Sequence, residues 1–164
     1  QTTLTDVGVR LDVPNDNKNT LGWHQDTSYY RQNSFGKNGL VLWVPIFKIN
    51  KNMGSLQHLR FSHNLGPLNI KKSKKSSAFA SSKREINSKK LIKYKQILQS
   101  VVSVKDALIM NLDMVHRSGN NSDENKVRVT MLARFHNVMS RDFNPGYNIY
   151  KYSNKKFNFD IHGF

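Results

Sequence analysis

The run Gly39-Leu-Val-Leu-Trp-Val-Pro-Ile-Phe47 is the stretch that decides the fold. After Gly39 it holds eight consecutive apolar residues, far short of the roughly 20 that a membrane-spanning helix needs, so it predicts a strand buried on both faces. Other apolar or alternating segments lie at short spacing, with Gly, Asn and Asp between them: 4–13, 55–59, 97–104, 107–111 and 127–136. The pattern predicts a mainly all-β sandwich or barrel of antiparallel strands with few short helices.

Length and composition limit the class of protein. A chain of 164 residues is expected to form a single domain over 1–164. It has no cysteine, which excludes disulfides, thiolate zinc sites, iron–sulfur clusters and a cysteine nucleophile. Any metal must therefore be held by imidazole and carboxylate. We expect no membrane span and a cytoplasmic location, and the sequence leaves the oligomeric state open.

The charge is strongly positive, with 26 Lys and Arg against 11 Asp and Glu, or +15. It indicates either a polyanionic partner or the Lys- and Asn-rich composition that AT-rich coding DNA produces. Much of it lies in a lysine- and serine-rich segment, 71–95, which we interpret as a solvated insertion with little to build a core and a short helix around Glu85–Tyr94. A nucleic-acid partner is disfavoured because this segment has only Phe79 and Tyr94 as aromatics and no known binding motif.

The first candidate for chemistry is Trp23-His24-Gln25-Asp26. If this piece is extended, His24 and Asp26 point to one face and can bind the same metal ion. Two residues with one spacer are common by chance, so a surface polar pair remains the alternative at this point.

The second candidate surrounds the turn-rich run Ser118-Gly-Asn-Asn-Ser-Asp-Glu-Asn125. Folded as a hairpin centred near Ser122, it places His116 opposite Arg128 and Ser118 opposite Lys126, because directly opposed residues share a face. His116 in a loop and Arg128 as a strand-edge cation are the alternatives to a functional pair.

Together these residues suit one reaction type. Two His and one Asp form a facial triad, which selects Fe(II) and leaves positions open for a 2-oxo acid and O2. If the co-substrate is 2-oxoglutarate, Arg128 can pair with its distal carboxylate and Ser118 can add a hydroxyl. Among the other histidines, His63 is the alternative ligand; His58, His136 and His162 are interpreted as non-ligands.

Three segments also carry a resemblance: LGWHQDTSYY at 21–30, GLVLWVPIFKINKNMGSLQHLRFSHNLGPL at 39–68 and VSVKDALIMNLDMVHRSGNNSDENKVRVTMLARFH at 102–136. In order and spacing they are similar to the phytanoyl-CoA dioxygenase family of Fe(II)/2-oxoglutarate oxygenases. The resemblance implies a double-stranded β-helix, a jelly-roll or cupin-like barrel. It also implies site residues: iron ligands His24, Asp26 and His116, 2-oxoglutarate contacts Arg128 and Ser118, and co-substrate pocket residues Gln25 and Trp43.

The function that this resemblance implies is hydroxylation of an unactivated C–H of a small organic substrate, with 2-oxoglutarate decarboxylated to succinate. Fe(II), 2-oxoglutarate and O2 are the expected cofactors and co-substrates, and an anionic substrate is among the expectations. NMG (52–54), RFSH (60–63) and KD (105–106) depart from the family pattern, and we expect an N-terminal helical region to be absent. The alternatives are a degenerate metal-binding relative without turnover and a basic nucleic-acid-binding module.

Overall fold

The computed structural model describes residues 2–16, 20–29, 39–72, 84–87, 91, 96–100, 102–137 and 139–140, without the side chains of residues 29, 71, 72 and 84. Short 3-10 helices lie at Asp26–Tyr29, Lys51–Met53 and Ser62–Leu65. Within the described ranges there are nine strands: β1 (Thr2–Asp12), β2 (Gly39–Pro45), β3 (Leu56–Leu59), β4 (Ile70–Lys72), β5 (Arg84–Ile86), β6 (Ile97–Gln99), β7 (Leu108–Asn111), β8 (His116–Ser118) and β9 (Arg128–Asn137).

The large sheet has the strand order β1-β9-β2-β7 and is antiparallel at each pairing. Its interior strand β2 pairs with both β9 and β7. The predicted strand is present, but the predicted burial on both faces was wrong: Val41, Trp43 and Pro45 are buried, whereas the residues between them are only half-buried because they point to the other face. Val41 and Trp43 point into the core and are almost completely buried, because alternate residues of a strand face opposite sides.

The small sheet has the order β6-β3-β8. One hydrophobic cluster joins the two sheets: Val41 and Trp43 of β2, Leu56 of β3, Met110 of β7, and Leu112 after β7. The predicted all-β architecture with few short helices is therefore confirmed. In the part of the chain that the structure describes, no helix is long and apolar enough to cross a membrane.

The segment 71–95 contributes more to the core than its composition indicates. β5 pairs with β4 in a two-stranded ribbon, and Ile86 and Leu91 are buried with Leu59 and Val115 in a second hydrophobic cluster. The expectation of little core was wrong for these two residues. Glu85 lies in a strand, so the predicted helix does not begin there; 88–90 and 92–95 lie outside the described residues.

The predicted hairpin around Ser122 was wrong. His116 pairs with His58 of the small sheet, whereas Arg128 pairs with Asp12 of the large sheet. The segment between them crosses from one sheet to the other, and the Asn121 side chain holds it by donating to the carbonyls of Asp12 and Lys126, each at 2.8 Å. The turn-forming residues therefore connect strands of two different sheets, whereas a hairpin would connect two neighbouring strands of one sheet.

The run RFSH (60–63), which departs from the family pattern, contains a residue with a left-handed backbone conformation. Phe61 has φ 60° and ψ 11°, a conformation that costs a non-glycine residue roughly 1–2 kcal/mol. Its ring is 60% exposed and packs under the guanidinium of Arg60 at 4.7 Å, so it loses little if removed.

We therefore expect Phe61→Gly to raise the free energy of unfolding by up to about 1 kcal/mol, measured by urea denaturation. Phe47→Gly is the matched control, since Phe47 is similarly exposed at 62% and has an ordinary backbone conformation. It should lower stability by about 0.5–1 kcal/mol. Equal losses in both variants would contradict the strain at Phe61.

Candidate metal centre

His24 and His116 are neighbours because the segment before Asp26 runs antiparallel to β8. The His24 amide donates to the His116 carbonyl at 2.9 Å, and the His116 amide donates to the His24 carbonyl at 3.0 Å. Directly opposed residues share a face, so both imidazoles point between the sheets with their ring centres 4.2 Å apart.

Asp26 completes the cluster that the sequence predicts. Its Oδ1 lies 3.6 Å from Nε2 of His24 and 3.7 Å from Nε2 of His116. One ligand atom from each residue lies within 4.8 Å of the others, and all three side chains are buried. Among the described residues this is the one group of three such side chains that could hold a metal ion, and His63 is not part of it.

Hydrogen bonds at the far side of each ring orient the ligands. Nδ1 of His24 lies 2.7 Å from the Gly22 carbonyl and Nδ1 of His116 lies 2.8 Å from the Met114 carbonyl. A carbonyl only accepts, so each Nδ1 carries the proton and each Nε2 presents its lone pair toward Asp26. Asp26 Oδ1 is buried and has no hydrogen-bond partner among the described residues. A buried carboxylate oxygen between two imidazole nitrogens fits a divalent cation of the Fe(II) type.

The protonation states also suit a metal. Burial, followed by the charge of His116, lowers the pKa of His24 to about 3, so His24 is neutral at pH 7. Burial alone would raise the pKa of Asp26, but Arg134 and the two histidines together hold it below its ordinary value. A neutral His24 imidazole and an ionised Asp26 carboxylate are thus available to a metal without displacing protons.

Sequence reasoning missed Arg134. Its Nε donates to Asp26 Oδ2 at 2.8 Å, and its Nη1 donates to Asp6 Oδ2 at 2.6 Å. This contact engages one oxygen of Asp26 and leaves Oδ1 for the metal, which favours monodentate binding. The sequence spacing could have indicated this residue, because Arg134 lies an even number of residues after Arg128 and so shares its face of β9.

Arg134→Leu should weaken metal binding by about 10–100-fold, the usual effect of removing an outer partner of a metal ligand. Anaerobic Fe(II) titration measures it, and Arg134→Lys should recover part of the loss because it restores a cation beside Asp26. An unchanged affinity in Arg134→Leu would show that the contact with Asp26 does not support the metal.

A cavity of about 30 Å³ adjoins the triad. Trp43, Ser118 and Arg128, which the family resemblance implies as co-substrate residues, line it together with Arg10 and Arg134. They therefore face the same small cavity as the candidate metal ligands.

Arg128 is firmly held in this wall. Its Nη1 donates to the carbonyls of Met53 and Gly119 at 2.9 and 3.0 Å, and its Nε and Nη2 contact Asp12 Oδ2 at 3.2 and 2.9 Å. The opposite oxygen of Asp12 contacts Arg10. Among the described residues, these contacts use every N–H of the guanidinium except one on Nη2.

Gln25 lies outside the residues that line the cavity. Its amide nitrogen donates to the carbonyls of Gly66 and Asp113, and its Oε1 accepts from the Leu68 amide. This differs from the expectation that Gln25 lines the co-substrate pocket: His24 and Asp26 line the cavity, whereas the side chain of Gln25 between them is used in these three hydrogen bonds. Gln25 instead ties the loop after the Ser62–Leu65 helix to the segment after β7.

The metal-free protein should lose stability as the pH falls from about 6.5 toward 4. Burial lowers the pKa of His24 to about 3, and burial with the charge of Arg134 lowers that of His136 to about 4. Both groups bind protons near pH 6.5 when unfolded, so the unfolded state takes up more protons in this window and unfolding becomes easier, by at most about 1.4 kcal/mol per pH unit for each histidine. Urea unfolding at pH 7 and pH 5 measures this, and equal stabilities would contradict it.

The family model described as phytanoyl-CoA dioxygenase (PhyH) matches residues 11–129, a range that contains the triad and Arg128. The chain belongs to the phytanoyl-CoA dioxygenase family. No curated protein matches it significantly.

Solved structures show the same jelly-roll fold. The epimerase SnoN in complex with Fe3+, alpha ketoglutarate and nogalamycin RO has a TM-score of 0.64 at 17% identity, covering 90% of this chain and 55% of that chain. EvdO2 from Micromonospora carbonacea var. aurantiaca, complexed with 2-oxoglutarate, has a TM-score of 0.61 at 15% identity, covering 82% and 51%. The carbocyclase SnoK from nogalamycin biosynthesis has a TM-score of 0.62 at 13% identity, covering 92% and 55%.

These comparisons confirm the predicted fold and family. The expected iron, 2-oxoglutarate and O2 are confirmed as the cofactors and co-substrates of the family. Among the neighbours, the SnoN structure contains Fe3+ and alpha ketoglutarate, and the EvdO2 structure contains 2-oxoglutarate. The chain spans about half the length of the three structures.

Proposed function

We propose that this chain is the core of an Fe(II)/2-oxoglutarate-dependent oxygenase that hydroxylates an unactivated C–H of a small organic substrate. The overall reaction converts substrate, 2-oxoglutarate and O2 into hydroxylated substrate, succinate and CO2. The observation that supports it most is the buried triad of His24, Asp26 and His116, with an unpartnered carboxylate oxygen facing two imidazole nitrogens. Iron bound there would supply the O2 chemistry, which protein side chains cannot perform.

The protein's part is to orient the ligands and exclude water. The Gly22 and Met114 carbonyls fix the two imidazoles, and Arg134 fixes the carboxylate. Iron held by these three residues would keep positions for 2-oxoglutarate and O2, since the triad supplies only three ligands. The ligand side chains are almost completely buried, which limits access of water to the reacting centre.

Arg128 and Ser118 are our candidates to bind the distal carboxylate of 2-oxoglutarate. Both line the cavity beside the triad. Arg128 offers its remaining N–H as a charge-assisted donor, and Ser118 offers a hydroxyl. Trp43 covers the same wall with an apolar surface and is 3% exposed. The Arg10–Asp12–Arg128 group carries a net single positive charge, which one carboxylate neutralises.

The residues that follow Asp26, namely Tyr29, Tyr30, Arg31 and Phe35, are our candidates to border the substrate. Tyr29 ends the Asp26–Tyr29 helix, and the other three lie outside the described residues. The neighbours act in different ways, as an epimerase and a carbocyclase show. Hydroxylation is our proposal because it is the reaction that the family name and the triad together favour.

Two measurements test this function. Anaerobic addition of Fe(II) and 2-oxoglutarate should produce the weak visible charge-transfer band of an iron-chelated 2-oxo acid, and admission of O2 should release succinate. Metal binding without succinate release would identify a degenerate relative. Absence of both the band and succinate in a folded, iron-loaded protein would contradict an oxygenase.

A further inference from the structure

A second cavity, of about 290 Å³, lies beside β8, the strand that carries His116. Arg117 and Gln57 line it from paired positions of β8 and β3. Because side chains alternate along a strand, Arg117 points away from the face that holds His116 and Ser118. Thr20 and Gly22 line the cavity from the segment that precedes the first ligand.

Arg117 is held in place by two contacts. Its guanidinium carbon lies 4.6 Å from the ring centre of Trp23, and its Nε donates to Gln57 Oε1 at 2.6 Å. Stacking and the Nε hydrogen bond immobilise the planar group. Among the described residues, its terminal nitrogens Nη1 and Nη2 have no acceptor. A fixed guanidinium with unused donors matches the geometry of a phosphate or carboxylate.

One acidic side chain lies close to this cavity. The Glu85 carboxylate packs against Gly22, where an added Cβ would come within 2.8 Å of its carboxylate carbon. Glu85 does not pair with Arg117 within 4 Å, so it does not occupy the guanidinium. Its negative charge should weaken the binding of an anion in this cavity, so removing that charge should increase the affinity.

We propose that the cavity around Arg117 is an oxyanion-binding site that takes a phosphate or carboxylate group of a small ligand. Arg117 supplies the charged fork, Trp23 and Gln57 hold it, and the remaining wall supplies room for the ligand. Leu21 and Ser118 line both this cavity and the metal cavity, so a ligand here lies one side chain away from the proposed co-substrate wall. The site needs neither iron nor turnover to bind its ligand.

The indole resonances of the two tryptophans report on the two cavities separately. Trp23 stacks on Arg117, whereas Trp43 lines the metal cavity. In ¹H–¹⁵N spectra of the metal-free protein at constant ionic strength, titration with inorganic phosphate should shift the Trp23 indole resonance saturably and leave the Trp43 resonance in place. Phenyl phosphate and benzoate, titrated separately, distinguish a phosphate from a carboxylate ligand. A shift of Trp43 alone, or no saturable shift of Trp23 with any of the three probes, would overturn the proposal.

Variants distinguish binding at this site from nonspecific attraction to the net positive charge of the chain. Arg117→Gln should weaken phosphate binding about tenfold or more, because it removes the charged donors. Arg60→Gln is the matched control, since Arg60 also stacks on an aromatic ring, Phe61, but lies outside the cavity, and its affinity should stay within about twofold. Arg117→Lys, which keeps the charge, checks folding and should bind with intermediate affinity. Glu85→Gln should strengthen binding. Equal weakening in Arg117→Gln and Arg60→Gln would show nonspecific attraction only.

Discussion

His116→Ala is expected to abolish Fe(II) binding at micromolar protein concentrations. The variant removes one of three ligands and leaves Asp26 Oδ1 facing His24 alone. The loss should exceed the roughly 10–100-fold that follows from removing an outer partner of a ligand. Anaerobic titration with Fe(II), followed by separation of free metal, measures it directly.

His58→Ala is the matched control for this variant. His58 lies directly opposite His116 in the β3–β8 pairing, so it shares the same sheet face, yet it is not part of the ligand group. Its removal should leave the Fe(II) affinity within a few-fold of the wild type. Equal losses in His116→Ala and His58→Ala would mean that the sheet, rather than the triad, determines binding.

Arg128→Ala is expected to weaken 2-oxoglutarate binding by about 10–150-fold, the equivalent of one charge-assisted hydrogen bond of roughly 1.5–3 kcal/mol. Iron affinity should change little, because Arg128 contacts Asp12, Met53 and Gly119 and none of the three ligands. Titration of the iron-loaded protein with 2-oxoglutarate, observed by the charge-transfer band, gives the affinity.

This variant also leaves Asp12 with one fewer cation, so a fold control is needed. Arg128→Lys retains the charge beside Asp12 and loses the planar fork, and it should bind 2-oxoglutarate more weakly than the wild type while remaining folded. An unchanged 2-oxoglutarate affinity in both variants would refute the role of Arg128 and direct attention to Arg10, the other arginine on Asp12.

Sequence patterns predicted the features that depend on a short stretch of the chain. Most of the apolar run became β2, Gly39–Pro45, and His24 and Asp26 face each other as their spacing predicts, although Asp26 already begins the Asp26–Tyr29 helix. The partnership of His24 with His116 needed the backbone pairing between two distant segments. The sequence contained the residues, but their ordered resemblance to a family supplied the pairing.

Features decided by the site itself were harder to predict. In β1 the apolar residues Val7, Val9 and Leu11 are 57–64% exposed, whereas Arg10 and Asp12 point inward. Hydrophobic alternation ordinarily turns apolar residues to the core, but here the inner face must supply charges to the cavity. The same reason explains Arg134, which a search for metal ligands alone passes over.

The central claim is that His24, Asp26 and His116 hold one iron ion. Anomalous diffraction at the iron edge, from crystals grown anaerobically with Fe(II) and 2-oxoglutarate, tests it most directly. We expect a single strong anomalous peak within bonding distance of both Nε2 atoms and of Asp26 Oδ1. A peak at other side chains, or an iron-free site in which these three groups point apart, would contradict it.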